Sequence, residues 1–146
     1  MLREESVTDT IDQPTVSLDA AQRAVAAAMK EAEREGLAVC IAVVGAAADL
    51  KAFARMDGAP LLTTTIAMDK AYTVAAFGLS THTWWDVIKD EPALVHGITK
   101  TDRLVVFGGG VPLVSDRTTI GAIGVSGGSP DQDRQVAEAG ARALAV

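Results

Sequence analysis

The sequence predicts an α+β domain built on a five-stranded antiparallel sheet, and three observations predict it. The hydrophobic periodicities run helix, two strands, helices, three strands, helix, with neighbouring strands joined by short polar connections. Residues 108–128 hold seven of the chain's 13 glycines, and the middle of that stretch has the pattern of a hairpin. At 146 residues with 49% hydrophobic and 22% charged side chains, the chain has the size and balance of one domain that can bury a core.

Taken in order, residues 1–16 are polar and acidic without period, and are expected to form a tail or an arm on a partner subunit, leaving 17–146 as the single domain. Ser17 is a suitable N-cap for a helix whose apolar face is Leu18, Ala21, Val25, Ala28, Met29 and Ala32, and Gly36 ends it. Residues 38–47 form a continuous apolar, β-branched run, the mark of a buried strand, with Cys40 inside it as a small core residue. From Leu50 to Asp57 the residues alternate, Lys51, Phe53, Arg55 and Asp57 falling on one face. Gly58-Ala59-Pro60 stops this strand. Thr63 or Thr64 is then expected to cap a helix whose face, Ala67, Ala71, Val74, Ala75 and Gly78, is small enough to lie close against a sheet. Pattern alone reads Lys70 on this helix as solvated.

Both histidines and both tryptophans fall between Ser80 and Ile98, a segment that Pro92 divides into two short helices. Residues 103–107 read as a further buried strand. The hairpin then follows, with strands over 112–114 and 119–125 around Ser115-Asp116-Arg117-Thr118. Ser129-Pro130-Asp131-Gln132 has the residues of a capping box, and Val136, Gly140, Ala143 and Leu144 line the last helix.

Several function classes are disfavoured. A net charge of −6 with no basic run argues against nucleic acid and anionic membranes. One cysteine allows neither an internal disulfide nor a thiolate cluster, and the spacing of His82 and His96 across the Pro92 break is not that of helical metal ligands. The N-terminus lacks the blocks of a signal peptide, so the expected compartment is the cytoplasm. Gly124-Val125-Ser126-Gly127-Gly128 matches Gly-x-Ser-x-Gly, but no histidine follows Ser126, and a glycine-rich strand-to-helix corner explains it. Gly108-Gly109-Gly110 leads into a strand and is no dinucleotide fingerprint.

Four segments in register, Arg55-Met56-Asp57-Gly58-Ala59, Ala67-Met68-Asp69-Lys70-Ala71-Tyr72-Thr73, Gly109-Gly110-Val111-Pro112 and 120–128, with Asp133 and Ala139-Gly140 behind them, resemble the GlcG/HbpS family, which includes the C-terminal domain of PduO-type proteins. The resemblance covers residues 17–146. It implies a five-stranded antiparallel sheet flanked by helices, homo-oligomers, and haem or corrinoid binding, with haem degradation in some members. Two departures stand out: the first helix carries no histidine, the iron ligand of some relatives, and Arg117-Thr118-Thr119 replaces a Gly-containing turn. Two functions follow. One is a binder of haem or a related planar cofactor at an inter-subunit groove near His82, His96, Trp84, Trp85, Gly109 and Gly110. The other is a cofactor-free catabolic isomerase, tautomerase or lyase, with Arg55 holding a carboxylate and Asp57, Lys70 or His82 moving protons.

Overall fold

A computed structural model describes residues 8–144. Helix α1 (Leu18–Arg34) is followed by β1 (Cys40–Gly45), β2 (Leu50–Arg55), α2 (Leu62–Phe77), a 3-10 turn at Thr81–Thr83, short helices α3 (Trp84–Ile88) and α4 (Pro92–Gly97), β3 (Gly110–Ser115), β4 (Thr118–Ser126) and α5 (Pro130–Arg142). The strands form one antiparallel sheet in the order β2-β1-β4-β3. Strand alternation divides the core into two layers. Ile41, Val43, Ile123 and Val125 face α1 and α5, whereas Cys40, Ala42, Val44 and Ala122 face α2.

The capping chemistry matches the sequence. Ser17 Oγ accepts from Ala20 N at α1, and Ser129 with Gln132 forms the full capping box at α5. Helix α2 differs: it starts at Leu62 without a side-chain cap, because Thr63 Oγ1 donates to the Pro60 carbonyl at 2.6 Å and also to Cys40 Sγ. Leu18 is half exposed, and Ala24 takes its place on the buried face of α1. The hairpin turn has Asp116 at φ 48° and Arg117 at φ 64°, the paired left-handed residues of a type I′ connection.

The α+β fold with an antiparallel sheet flanked by helices is as expected, but the sheet has four strands among the described residues, and residues 103–107 are not one of them. Two of their backbone groups are met by a side chain on a helix. Thr73 Oγ1 on α2 donates to the Arg103 carbonyl (3.1 Å) and accepts from Val105 N (3.0 Å). Arg103 itself has φ 63°, its Nε donates to Asp69 Oδ1 at 2.9 Å, and its guanidinium lies 4.0 Å from the Tyr72 ring centroid. These contacts hold the start of the run against α2.

The small face of α2 does lie close to the sheet. A Cβ on Gly124 would collide with the Ala67 carbonyl oxygen and lie 2.6 Å from Ala71 N, so only glycine admits the helix backbone there. At the other end, Val16 is buried and its N–H donates to the Ile120 carbonyl (2.8 Å), which ties the start of the domain to β4.

Candidate functional site

Lys70 is the largest fully buried side chain of the described residues, at 1% exposure. It lies on the stripe Thr63, Ala67, Lys70, Val74, whose spacings of four, three and four face the sheet. Its Nζ donates to Asp133 Oδ2 (2.9 Å) and to the Val125 carbonyl (2.9 Å), and the Phe107 ring centroid stands 5.0 Å away. Asp133, 2% exposed, also accepts from Gly128 N at 2.8 Å. Burial lowers the lysine pKa and raises that of the aspartate, each opposed by the other's charge. The solvated reading of Lys70 is therefore corrected.

Two glycines border this pair, Gly109 having φ 132° and the Val125 carbonyl oxygen 2.5 Å from where its Cβ would lie. A Cβ on Gly109 would lie 2.6 Å from Lys70 Nζ and 2.9 Å from Asp133 Cβ, and one on Gly110 would lie 2.7 Å from the Lys70 carbonyl oxygen. Gly110 N donates to Thr81 Oγ1. The space beside Gly109 and Gly110, expected to receive a cofactor, is filled by the protein's own lysine and helix. Asp133 was missed as a partner because, read from sequence, it is one of two acids in the first turn of α5, the ordinary place for helix-dipole compensation.

The aromatic and histidine residues of 80–98 do not converge. Trp84 is buried, its ring centroid 4.8 Å from that of Phe77 and its Nε1 without a partner among the described residues, while Trp85 is exposed. His96 is exposed on α4. His82 is partly buried beside Gly108, with Nδ1 enclosed and unpartnered among the described residues. Its pKa is pushed down by burial and then by the Arg134 charge, with Glu138 opposing.

A concave surface lies elsewhere, between α1 and the edge strand β2. Leu18, Val25 and Met29 line it from the helix, with Gln22 and Ala26 at the rim, and Lys51, Ala52 and Phe53 line it from the strand, enclosing about 280 Å³. Met29 also lines an adjoining groove of about 340 Å³ with Glu33, Arg55, Met56 and Asp57. Arg55 donates from Nε and Nη2 to the Ala59 carbonyl. β2 ends at Arg55 and Asp57 lies in the turn after it, so the two do not share a strand face as expected; both line one groove, and Lys70 is not part of it. Neither histidine lines either groove.

The model of the haem-degrading protein HbpS-like family matches residues 16–142. The chain belongs to the HbpS-like family. Among HbpS-like relatives, a 15.0 kDa protein from the dhaT-dhaS intergenic region of Citrobacter freundii is 35% identical over 126 residues, covering 85% of this chain and 88% of that protein. The fold is similar to that of protein ORFY of Klebsiella pneumoniae, with a TM-score of 0.90 and 30% identity over 96% of this chain and 97% of the other. It is also similar to a PduOC:haem complex, with a TM-score of 0.79 and 29% identity over 89% and 95% of the two chains. No described helix of this HbpS-like chain is long and apolar enough to cross a membrane.

Proposed function

We propose that this chain binds haem or a related planar cofactor in the groove between α1 and β2, at a surface completed by a second copy of the chain. The observation that carries the reading is the composition of that groove: apolar surface from Leu18, Val25, Met29 and Ala52, with Lys51 at the strand edge. A flat apolar ring bearing carboxylates needs those two chemistries together. The volume supports the shared surface. About 280 Å³ falls at the lower limit of the roughly 300–1,000 Å³ of small-molecule sites, so one chain would enclose only part of a tetrapyrrole. Similarity to a structure named as a haem complex adds support of a different kind.

Bound haem supplies an iron that exchanges electrons and takes small exogenous ligands. The chain's own part is to bind and shield it: Leu18, Val25 and Met29 exclude water, and Lys51 offers a cation to a carboxylate. The test is a titration with hemin and with iron-free protoporphyrin. Saturable binding at a defined stoichiometry is expected, lost in Ala26→Trp, which fills the rim, and retained in His82→Ala and His96→Ala. Undiminished binding by Ala26→Trp would reject the groove.

A cofactor-free enzyme acting on a small carboxylate is favoured by one observation, the joint presence of Arg55 and Asp57 in the adjoining groove. Lys70, closed in beneath Phe107, would take no part. Turnover of a small carboxylic acid that is lost in Asp57→Asn without a fall in melting temperature would support it, and equal turnover by that variant would reject it.

A further inference from the structure

We infer that the outer ridge of α4 is a self-association surface, on which a second copy of this chain packs its own α4 antiparallel. No residue of α4 is buried, and the elements chiefly packed against it are its chain neighbours, α3 and the 3-10 turn at Ile98–Lys100. Helical segments this short are not stable in water by themselves and depend on tertiary contacts. Val95 and Ile98 are half-buried, whereas Glu91, Leu94, Gly97 and Lys100, spaced by three along one ridge, are all exposed.

The residues of this ridge specify the occupant. Gly97 has ordinary helical angles, φ −86° and ψ −32°, and a Cβ there would meet nothing within 4 Å. Neither conformation nor space inside the chain calls for glycine, which weakens a helix relative to alanine; close approach by another backbone does call for it. Leu94, one turn earlier, leaves an apolar side chain in solvent. Glu91 and Lys100 end the ridge with opposite charges. The ion pairs nearby are Lys89–Asp86 and Arg103–Asp69, so both are unpaired among the described residues, and the Glu91 side chain does not cap its own helix. In chain order the ridge is acid, leucine, glycine, base, and this order is its own antiparallel complement. Glu91 faces Lys100 of the second copy, Leu94 lies over Gly97 of the second copy, and the two-fold axis passes between positions 95 and 96. Asp90 reinforces Glu91, while Asp102, just beyond Lys100, opposes it in part. At a net charge of −6, copies of this chain repel, and a face that carries its own complement offsets that repulsion for this one partner. A helix pair of this length buries less than the roughly 1,200 Å² of a standard interface, so the association is weak and concentration-dependent. None of these residues lines either groove beside α1, and the contact is independent of the haem reading.

Sedimentation equilibrium of the full chain, without haem, at low ionic strength and rising concentration, reads the association constant. Glu91→Lys and Lys100→Glu should each weaken association about tenfold, because both charge pairs of the dimer turn from attraction to repulsion. An equimolar mixture of the two variants should associate as tightly as the parent, since each supplies the charge that the other lacks. Gly97→Leu should abolish association at this face while the melting temperature of the dilute protein is kept. A mixture no more associated than either variant alone, undiminished association in Gly97→Leu, or a parent protein that sediments as a monomer at every concentration would overturn the inference.

Discussion

Replacing Lys70 by Met would test the central polar pair of the domain. The methionine follows the path of the lysine stem but removes two 2.9 Å hydrogen bonds, to Asp133 Oδ2 and the Val125 carbonyl. It also leaves a carboxylate that is 2% exposed without its cation. Removing one partner of a buried pair costs about 3–5 kcal/mol, because the remaining charge is uncompensated. At roughly 2–4 °C per kcal/mol for a domain of this size, the melting temperature should fall by about 6–20 °C. The backbone N–H of Gly128 still reaches Asp133, which favours the lower half of that range. Urea unfolding of the parent, Lys70→Met, Asp133→Asn and the double variant closes a thermodynamic cycle, in which the double variant should lose much less than the sum of the singles. The pH dependence supplies a sign. Burial already raises Asp133 from 3.8, and without the lysine the folded protein binds its proton more tightly still than the unfolded chain does. The variant's deficit should therefore be full at neutral pH and shrink as pH falls through the raised folded pKa toward 3.8. A loss under about 1 kcal/mol, with no coupling and no pH dependence, would refute the argument.

Two further outcomes can be checked alongside the porphyrin and haem titrations. Gly124→Ala should destabilise by about 1–3 kcal/mol or more, because the methyl meets α2 backbone that cannot yield cheaply. Gly97→Ala, where a Cβ meets nothing within 4 Å, should be neutral or slightly stabilising, and equal melting temperatures for the two variants would contradict the packing described. For His82, a folded pKa below 6.5 means that the native state binds fewer protons than the unfolded chain as pH falls past that value. Stability is lost in that direction, and His82→Gln should flatten the slope measured between about pH 7.5 and about pH 5.5. Identical slopes would show that the imidazole is not held neutral.

What was legible in the sequence was local. Ser17 and Ser129 announce their helices by chemistry within four residues, and the small face of α2 announces a close approach by periodicity alone. What was illegible depends on residues far apart in the chain. The apolar run at 103–107 has the composition of a strand, yet Thr73, some thirty positions earlier, meets two of its backbone groups and holds its start against α2. Lys70 and Asp133 are 63 positions apart, and each has a bland local explanation, one as a helix lysine and the other as an N-terminal acid. The histidines and tryptophans were grouped by sequence proximity, but a 3-10 turn followed by two short helices sends Trp84 inward and leaves Trp85 and His96 in solvent. The groove was obscured for the converse reason, since its two walls are individually ordinary.

The ammonium group of Lys70 occupies the volume that a side chain at position 109 would need, and this restricts how the sequence can drift. A lineage cannot enlarge residue 109 first, because the methyl meets a filled space, nor shorten residue 70 first, because Asp133 is then stranded. Passage to a different solution requires joint changes at 70 and 133, on α2 and α5, whereas position 109 stays restricted by its φ of 132° and by the Val125 carbonyl oxygen 2.5 Å from where a Cβ would lie. Lysine and aspartate at these two sites should accordingly be inherited together, while glycine at 109 is held on its own account by the backbone around it.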